Sequence, residues 1–289
     1  MFGHFKTRRE ASSEHLTTAR RKVRDNFDAL ADRTKKLLDL INVEVKGRGY
    51  PNGILLIFDS MDRYPETTIE NLLLNSSLLN QLACHAIYTM HISLTYKRRG
   101  GAYDYFSGTP VILPMLALRD RDKGWGKTVE ADSHFNAAAV ATVLEAMKRR
   151  MDVDALFERP KDAELLIKMS GGCIRDLLHL INSSRKFTVK NLNDTPTKIS
   201  SEGVAKGIAR YRLAFTEGLS EADYLRLAKL VREKSSGDNL DADVQKFLAE
   251  RIALRYCQND QRWTDVHPLV IETEGYRNAL KAESKLAKN

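Results

Sequence analysis

Long apolar runs are missing from this chain. None approaches the roughly 18 consecutive residues that a membrane-spanning helix requires. Residues 1–25 are polar and charged, which excludes the apolar core of a secretory signal. Cysteine is scarce: Cys84, Cys173 and Cys257 lie far apart and form no metal-type pair, so a reduced, cytoplasmic setting is expected. Internal repeats and low-complexity segments are absent as well. No Ser/His/Asp or Cys/His nucleophile arrangement can be assembled from spacing. His267, beside Pro268, has no Cys or carboxylate cluster around it in the sequence, and no metal is assigned there.

What is present is ordinary soluble-globular composition. Of 289 residues, 43% are hydrophobic and 29% charged, enough for two modest domains with their own cores. The net charge of +8 suits anionic partners, but Lys and Arg are interspersed with Asp and Glu rather than gathered in one block.

The stretch that organises the rest is 53–64, Gly-Ile-Leu-Leu-Ile-Phe-Asp-Ser-Met-Asp-Arg-Tyr. An unbroken apolar run ending in an acid reads as a buried central strand of a parallel sheet, with Asp59 emerging at its carboxyl end. That edge is where open α/β sheets hold ligands. Before it, apolar residues from Leu16 to Ile41 recur at spacings of three, four and seven, which predicts one or two amphipathic helices over 12–42. Their basic cluster, Arg20 to Arg24, reads as a solvated face. After it come a helix over about 68–82, a second strand over 86–94 and a third over 111–118. Pro114 demotes the third toward a sheet edge. From Ser133 the pattern turns helical. A glycine turn, Ser170-Gly171-Gly172, opens a further helix, and 188–197 reads as a linker. Helices over about 200–216, 220–234 and 241–252 then lead into a β-hairpin turning at Asn259-Asp260.

Three landmarks thus stand in order. Asp59-Ser60-Met61-Asp62-Arg63 resembles the Walker B segment of bacterial AAA+ and STAND-type P-loop ATPases. The strand ending Thr89-Met90-His91-Ile92-Ser93 lies where such proteins carry sensor 1. Ser170-Gly171-Gly172-x-x-Arg175-Asp176 looks like their sensor 2 helix, and three helices with a hairpin near Trp263 and His267 resemble the winged helix that follows. The likeness spans roughly 50–270. It implies a partial P-loop α/β core over 1–130, a helical lid over 131–190 and a winged-helix-like domain over 198–289. It also implies ATP and Mg2+ as ligands: Asp59 on the metal, Asp62 and Arg63 organising the catalytic edge, Thr89 as the sensor 1 hydroxyl, and Arg175 reading the γ-phosphate. Lys97, Arg98, Arg99, Arg119 and Arg121 are arginine-finger candidates whose simpler reading is surface charge.

The family's Gly-x-x-x-x-Gly-Lys-Ser/Thr loop has no counterpart before Asp59, where residues read as helix. Gly124-Trp125-Gly126-Lys127-Thr128 ends correctly, but the first required glycine is Arg121. A segment or subunit upstream carrying that loop is therefore the expected partner, with a homo-oligomer and DNA as further ones. The position after Asp59, often acidic in the family, is Ser60, so the resemblance implies nucleotide contact more than hydrolysis. The competing expectation is a non-catalytic winged-helix adaptor binding DNA or protein. There Tyr211, Trp263 and Tyr276, interleaved with basic residues, would form the surface.

Overall fold

The computed structural model describes residues 27–75, 79, 82, 84–90, 92–95, 106, 110–121, 129, 134–188, 198–233, 241–258 and 261–286. His91, Lys97 to Arg99, Lys123 to Thr128, the basic cluster before Phe27, the stretch 189–197 and the Asn259-Asp260 turn lie outside them. The chain is mixed α/β and mostly helical, and it divides into two compact units at Pro110. The boundaries expected near 130 and 190–198 both fall inside the second unit.

The first unit opens with helix α1 (Phe27–Gly47), then strand β1 (Leu55–Phe58), a 3-10 turn (Met61–Arg63), helix α2 (Glu66–Leu73), strand β2 (His85–Tyr88) and a second 3-10 turn (Ile92–Thr95). β1 and β2 pair in parallel, Leu55 opposite His85 through Phe58 opposite Tyr88, so α2 is the crossover of a βαβ unit. Ile69 and Leu73, four apart on α2, are buried with Met61, Leu74 and Leu94, and the Phe58 and Tyr88 rings stack at 4.9 Å on the same side.

The opposite face of the pair is open. Leu55, Ile57 and Ile87 are 52%, 64% and 51% exposed, so β1 is not the buried central strand the sequence suggested. Its apolar run is continuous, yet the described residues cover only one side of it. The second strand is also shorter than expected, because the chain leaves the extended form after Tyr88 and Ser93 falls in a 3-10 turn.

The expected third strand belongs elsewhere. Residues 111–114 belong to no helix or strand, as the missing N–H of Pro114 favours. Pairing begins right after it: Met115 bridges Tyr256 in parallel, and its N–H donates to the Arg255 carbonyl at 2.8 Å. The segment therefore joins the C-terminal hairpin rather than β1 and β2.

The second unit then builds helices α3 (Ala137–Lys148), α4 (Val153–Leu156), α5 (Pro160–Met169), α6 (Ile174–Thr188), α7 (Ser201–Thr216), α8 (Glu221–Glu233) and α9 (Ala242–Ala249). The hairpin β3 (Ala253–Gln258) and β4 (Gln261–Val266) follows, and helices α10 (Pro268–Ile271) and α11 (Glu274–Leu286) close it. Side-chain oxygens of Asn136, Asp152, Ser200 and Asp241 cap α3, α4, α7 and α9 by accepting first-turn N–H groups. One core joins Val140, Val143, Phe157, Leu166, Leu180 and Val204. β3 and β4 pair antiparallel from Ala253 opposite Val266 to Gln258 opposite Gln261, which is the expected hairpin.

The helices on either side of the expected linker pack along each other. α6 and α7 approach closely because Gly203 and Gly207, one turn apart, face Ser184. A Cβ on Gly207 would stand 2.5 Å from the Ser184 amide nitrogen. Gly207→Ala should therefore cost about 1–3 kcal/mol in urea or thermal unfolding. Gly47→Ala, at a position with open space around it, should cost nothing comparable.

Candidate functional site

Four of the five expected site residues meet at the carboxyl edge of β1 and β2. Register continues one step past the paired strands, so Asp59 and Thr89 are the first residues beyond neighbouring parallel strands. Asp59 is exposed, and its Oδ1 accepts the Ser60 N–H at 2.6 Å. Ser60 is left-handed, φ 63° and ψ 16°, which turns the chain sharply into the 3-10 turn that carries Asp62 and Arg63.

Thr89 fastens this turn to the sheet. Its N–H donates to the Phe58 carbonyl at 3.1 Å, and its hydroxyl donates to the same oxygen at 3.3 Å. The hydroxyl oxygen also accepts the Met61 N–H at 3.0 Å. The side chain thus holds the loop of Asp59, Asp62 and Arg63 at a fixed place on the edge. Such an edge suits a hydrated divalent cation, since magnesium commonly takes one or two carboxylates and completes its shell with water and phosphate oxygens. Among the described residues there is no cluster of three or more His, Cys, Asp or Glu that could enclose a metal by itself.

Arg175 belongs to the second unit, exposed in the first turn of α6. The glycine turn before it has a packing reason. Gly171 and Gly172 have φ of 60° and 85°, and a Cβ on Gly172 would fall 2.0 Å from the Leu116 carbonyl oxygen. The Gly171 carbonyl accepts the Tyr256 hydroxyl at 2.7 Å.

Asp176, next to Arg175 in the first turn of α6, is the centre of a buried network. Fully buried, it accepts the Tyr211 hydroxyl at 2.8 Å and lies 3.2 Å from Arg251 Nε and 3.4 Å from His267 Nε2. His267 Nδ1 accepts the Leu269 N–H at 3.1 Å, so the imidazole proton sits on Nε2, the nitrogen nearer Asp176. Burial opposes the Asp176 charge, but the His267 hydrogen bond and the Arg251 guanidinium outweigh it and hold the carboxyl well below the usual range. Burial keeps His267 neutral by lowering its pKa.

Cys173 completes a Cys, Asp and His grouping that has no nucleophilic thiolate. Burial above all, with Asp176 beside it, pushes its thiol up to about 11, so no thiolate forms at neutral pH. The network ties together the glycine turn, α6, α7, the start of β3 and the end of β4. Its members span 173–267, and no local pattern connects them; the one hint was an acid in the first turn of a helix.

The remaining candidates are corrected by burial. Trp263 and Tyr276 are 3% and 0% exposed, so neither offers a ring to a nucleic-acid base, and Tyr211 is committed to Asp176. Arg119 is neither an arginine finger nor surface charge: it is 8% exposed, lies 3.6 Å from Asp265 and sits over the Phe135 ring. With Tyr256 and Trp263 these groups line a small crevice. Arg121 donates to Gln261 at 2.9 Å.

No known protein family, curated protein or solved structure matches this chain. No helix among the described residues is long and apolar enough to cross a membrane.

Proposed function

We propose that the chain is a nucleotide-responsive module of the AAA+/STAND-like P-loop type, in which the edge of β1 and β2 carries the magnesium side of an ATP site. The observation that carries this reading is the pairing of Asp59 and Thr89. An exposed acid and a hydroxyl end neighbouring parallel strands of a βαβ unit, and the hydroxyl pins the acid's loop to the sheet. In this reading Asp59 holds hydrated Mg2+, Asp62 and Arg63 order the edge, and Thr89 senses the γ-phosphate. The phosphate loop comes from a segment or subunit outside this sequence, and the nucleotide binds in full strength only when it is present.

Calorimetry with Mg-ATP tests this. Binding should be weak with this chain alone, and Asp59→Ala should weaken it roughly tenfold or more at unchanged thermal stability, because Asp59 is exposed. Binding that is insensitive to Asp59→Ala would remove the edge from the site.

The second reading is a winged-helix adaptor without catalysis. It rests on the order α7, α8, α9 and then the hairpin, with Gln258, Gln261 and Arg262 exposed toward its tip. Salt-dependent binding to duplex DNA without nucleotide would favour it.

A further inference from the structure

α6 exposes charge of one sign only. Arg175, His179, Asn182 and Lys186, at spacings of four, three and four, form an exposed row along it, and Arg185 is exposed in its last turn. The only acid of this helix, Asp176, is fully buried in the network described above.

α7 runs antiparallel to α6. Asp176 accepts the Tyr211 hydroxyl near one end of their contact, and the Ser183 hydroxyl donates to the Gly207 carbonyl at 3.0 Å nearer the other. Lys206 and Arg210, one turn apart and exposed, directly precede Gly207 and Tyr211, which sets them on the rim of the helix pair. Glu202 is the only acid of α7, and it already pairs with Lys206 at 2.6 Å. Five exposed bases of the two helices thus stand against one exposed acid.

We propose that this α6–α7 face binds the phosphate backbone of a nucleic acid without reading its sequence. A backbone of uniform negative charge matches a long row of bases, and Arg175 to Lys186 spans about 16 Å of helix axis. The close packing at Gly203 and Gly207 keeps the bases of the two helices near one another. The row carries no Phe, Tyr or Trp on which a base could stack, and its one imidazole, His179, is stacked on Tyr211 at 5.7 Å. It also lacks apolar anchors for a peptide, because Ile174 and Leu178 form a separate row of α6.

The surface differs from the one in the adaptor reading. α9, the helix leading into the hairpin, exposes Asp243 and is flanked by exposed Asp241 and Glu250, against the single exposed base Lys246. It would repel phosphates where α6 and α7 attract them. Binding at α6 and α7 needs no nucleotide at the edge of β1 and β2.

Fluorescence anisotropy of the full chain with a labelled duplex of about 20 base pairs tests this. Duplexes of unrelated sequence should bind alike, and log Kd should rise with log salt with a slope of about 3–4, as four or so phosphate contacts give. Lys186→Glu combined with Arg210→Glu should weaken binding about tenfold or more and flatten that slope. Arg262→Glu, at an exposed position near the hairpin tip, should leave it unchanged. No binding at about 50 mM salt, or binding that survives the double substitution, overturns the proposal. Loss of binding with Arg262→Glu alone also overturns it and moves the surface to the hairpin. Polyglutamate that binds as tightly as the duplex would assign the face to acidic proteins instead.

A second readout needs no charge variant. Bound duplex should slow acetylation of Lys186 and Lys206 while leaving Lys246 and Lys281, exposed on α9 and α11, as reactive as before. Protection of all four alike, or of none, overturns the proposal.

Discussion

Asp176→Ala should lose about 3–5 kcal/mol of unfolding free energy, the largest loss expected of any single side chain outside the apolar core. The carboxylate is fully buried, and its removal takes the shared acceptor from the half-buried Arg251 guanidinium and Tyr211 hydroxyl and the charged neighbour from the fully buried His267. Asp176→Asn should cost less, because an amide oxygen can still accept from Tyr211 and Arg251 while the charge is gone. Urea unfolding of both variants checks the order. Equal, small losses would mean that the network contributes little.

The same cluster sets the response to acid. Folding lowers the His267 pKa from 6.5, so the unfolded chain takes up that proton first. The corresponding stability is complete above pH 6.5 and falls as pH drops through the folded value. Asp176, lowered from 3.8, acts with the same sign: its contribution is complete above pH 3.8 and is lost on further acidification. The second unit should therefore weaken in two stages on acidification. His267→Gln should remove the upper stage and keep the lower one, as read by urea midpoints across the pH range.

The difference between what was legible and what was not follows the range of the interactions. β1 and the hairpin were readable as extended elements because each is written in a few consecutive residues: an apolar run ending in an acid, and an Asn-Asp pair between alternating stretches. The juxtaposition of Asp59 with Thr89 was also readable, since two strands joined by one helix pair in parallel side by side. Long-range partners were not. Pro114 marked 111–118 as an edge, but nothing local chose between the first sheet and β3, where Met115 pairs. Aromatic residues interleaved with bases suggested a nucleic-acid surface. Yet Trp263 stacks on Tyr256 at 5.4 Å beneath the glycine turn, and the neighbouring bases lie outside that contact. Continuous apolar character at β1 implied cover on two sides, a property that depends on what else is present rather than on the strand.

The glycine turn gives the sharpest contrast between a motif and its physical cause, and Gly172→Ala decides between them. Gly172 sits at φ 85°, where an L side chain is strained, and its Cβ would stand 2.0 Å from the Leu116 carbonyl oxygen, a backbone atom that no rotamer change can move. That strain costs about 1–2 kcal/mol, and overpacking against backbone adds about 1–3 kcal/mol more. The variant should thus lose roughly 3 kcal/mol or more, by separating the 115–117 segment from the start of α6. If the turn exists mainly to place Arg175, then Arg175→Ala and Gly172→Ala should impair nucleotide response alike while the fold stays intact. If it exists to let Leu116 and Tyr256 close over it, Gly172→Ala should lower the unfolding midpoint sharply. Arg175→Ala, at an exposed position, should then leave that midpoint nearly unchanged. The close approach of Leu116 favours the second outcome, in which packing rather than Arg175 holds the turn in place.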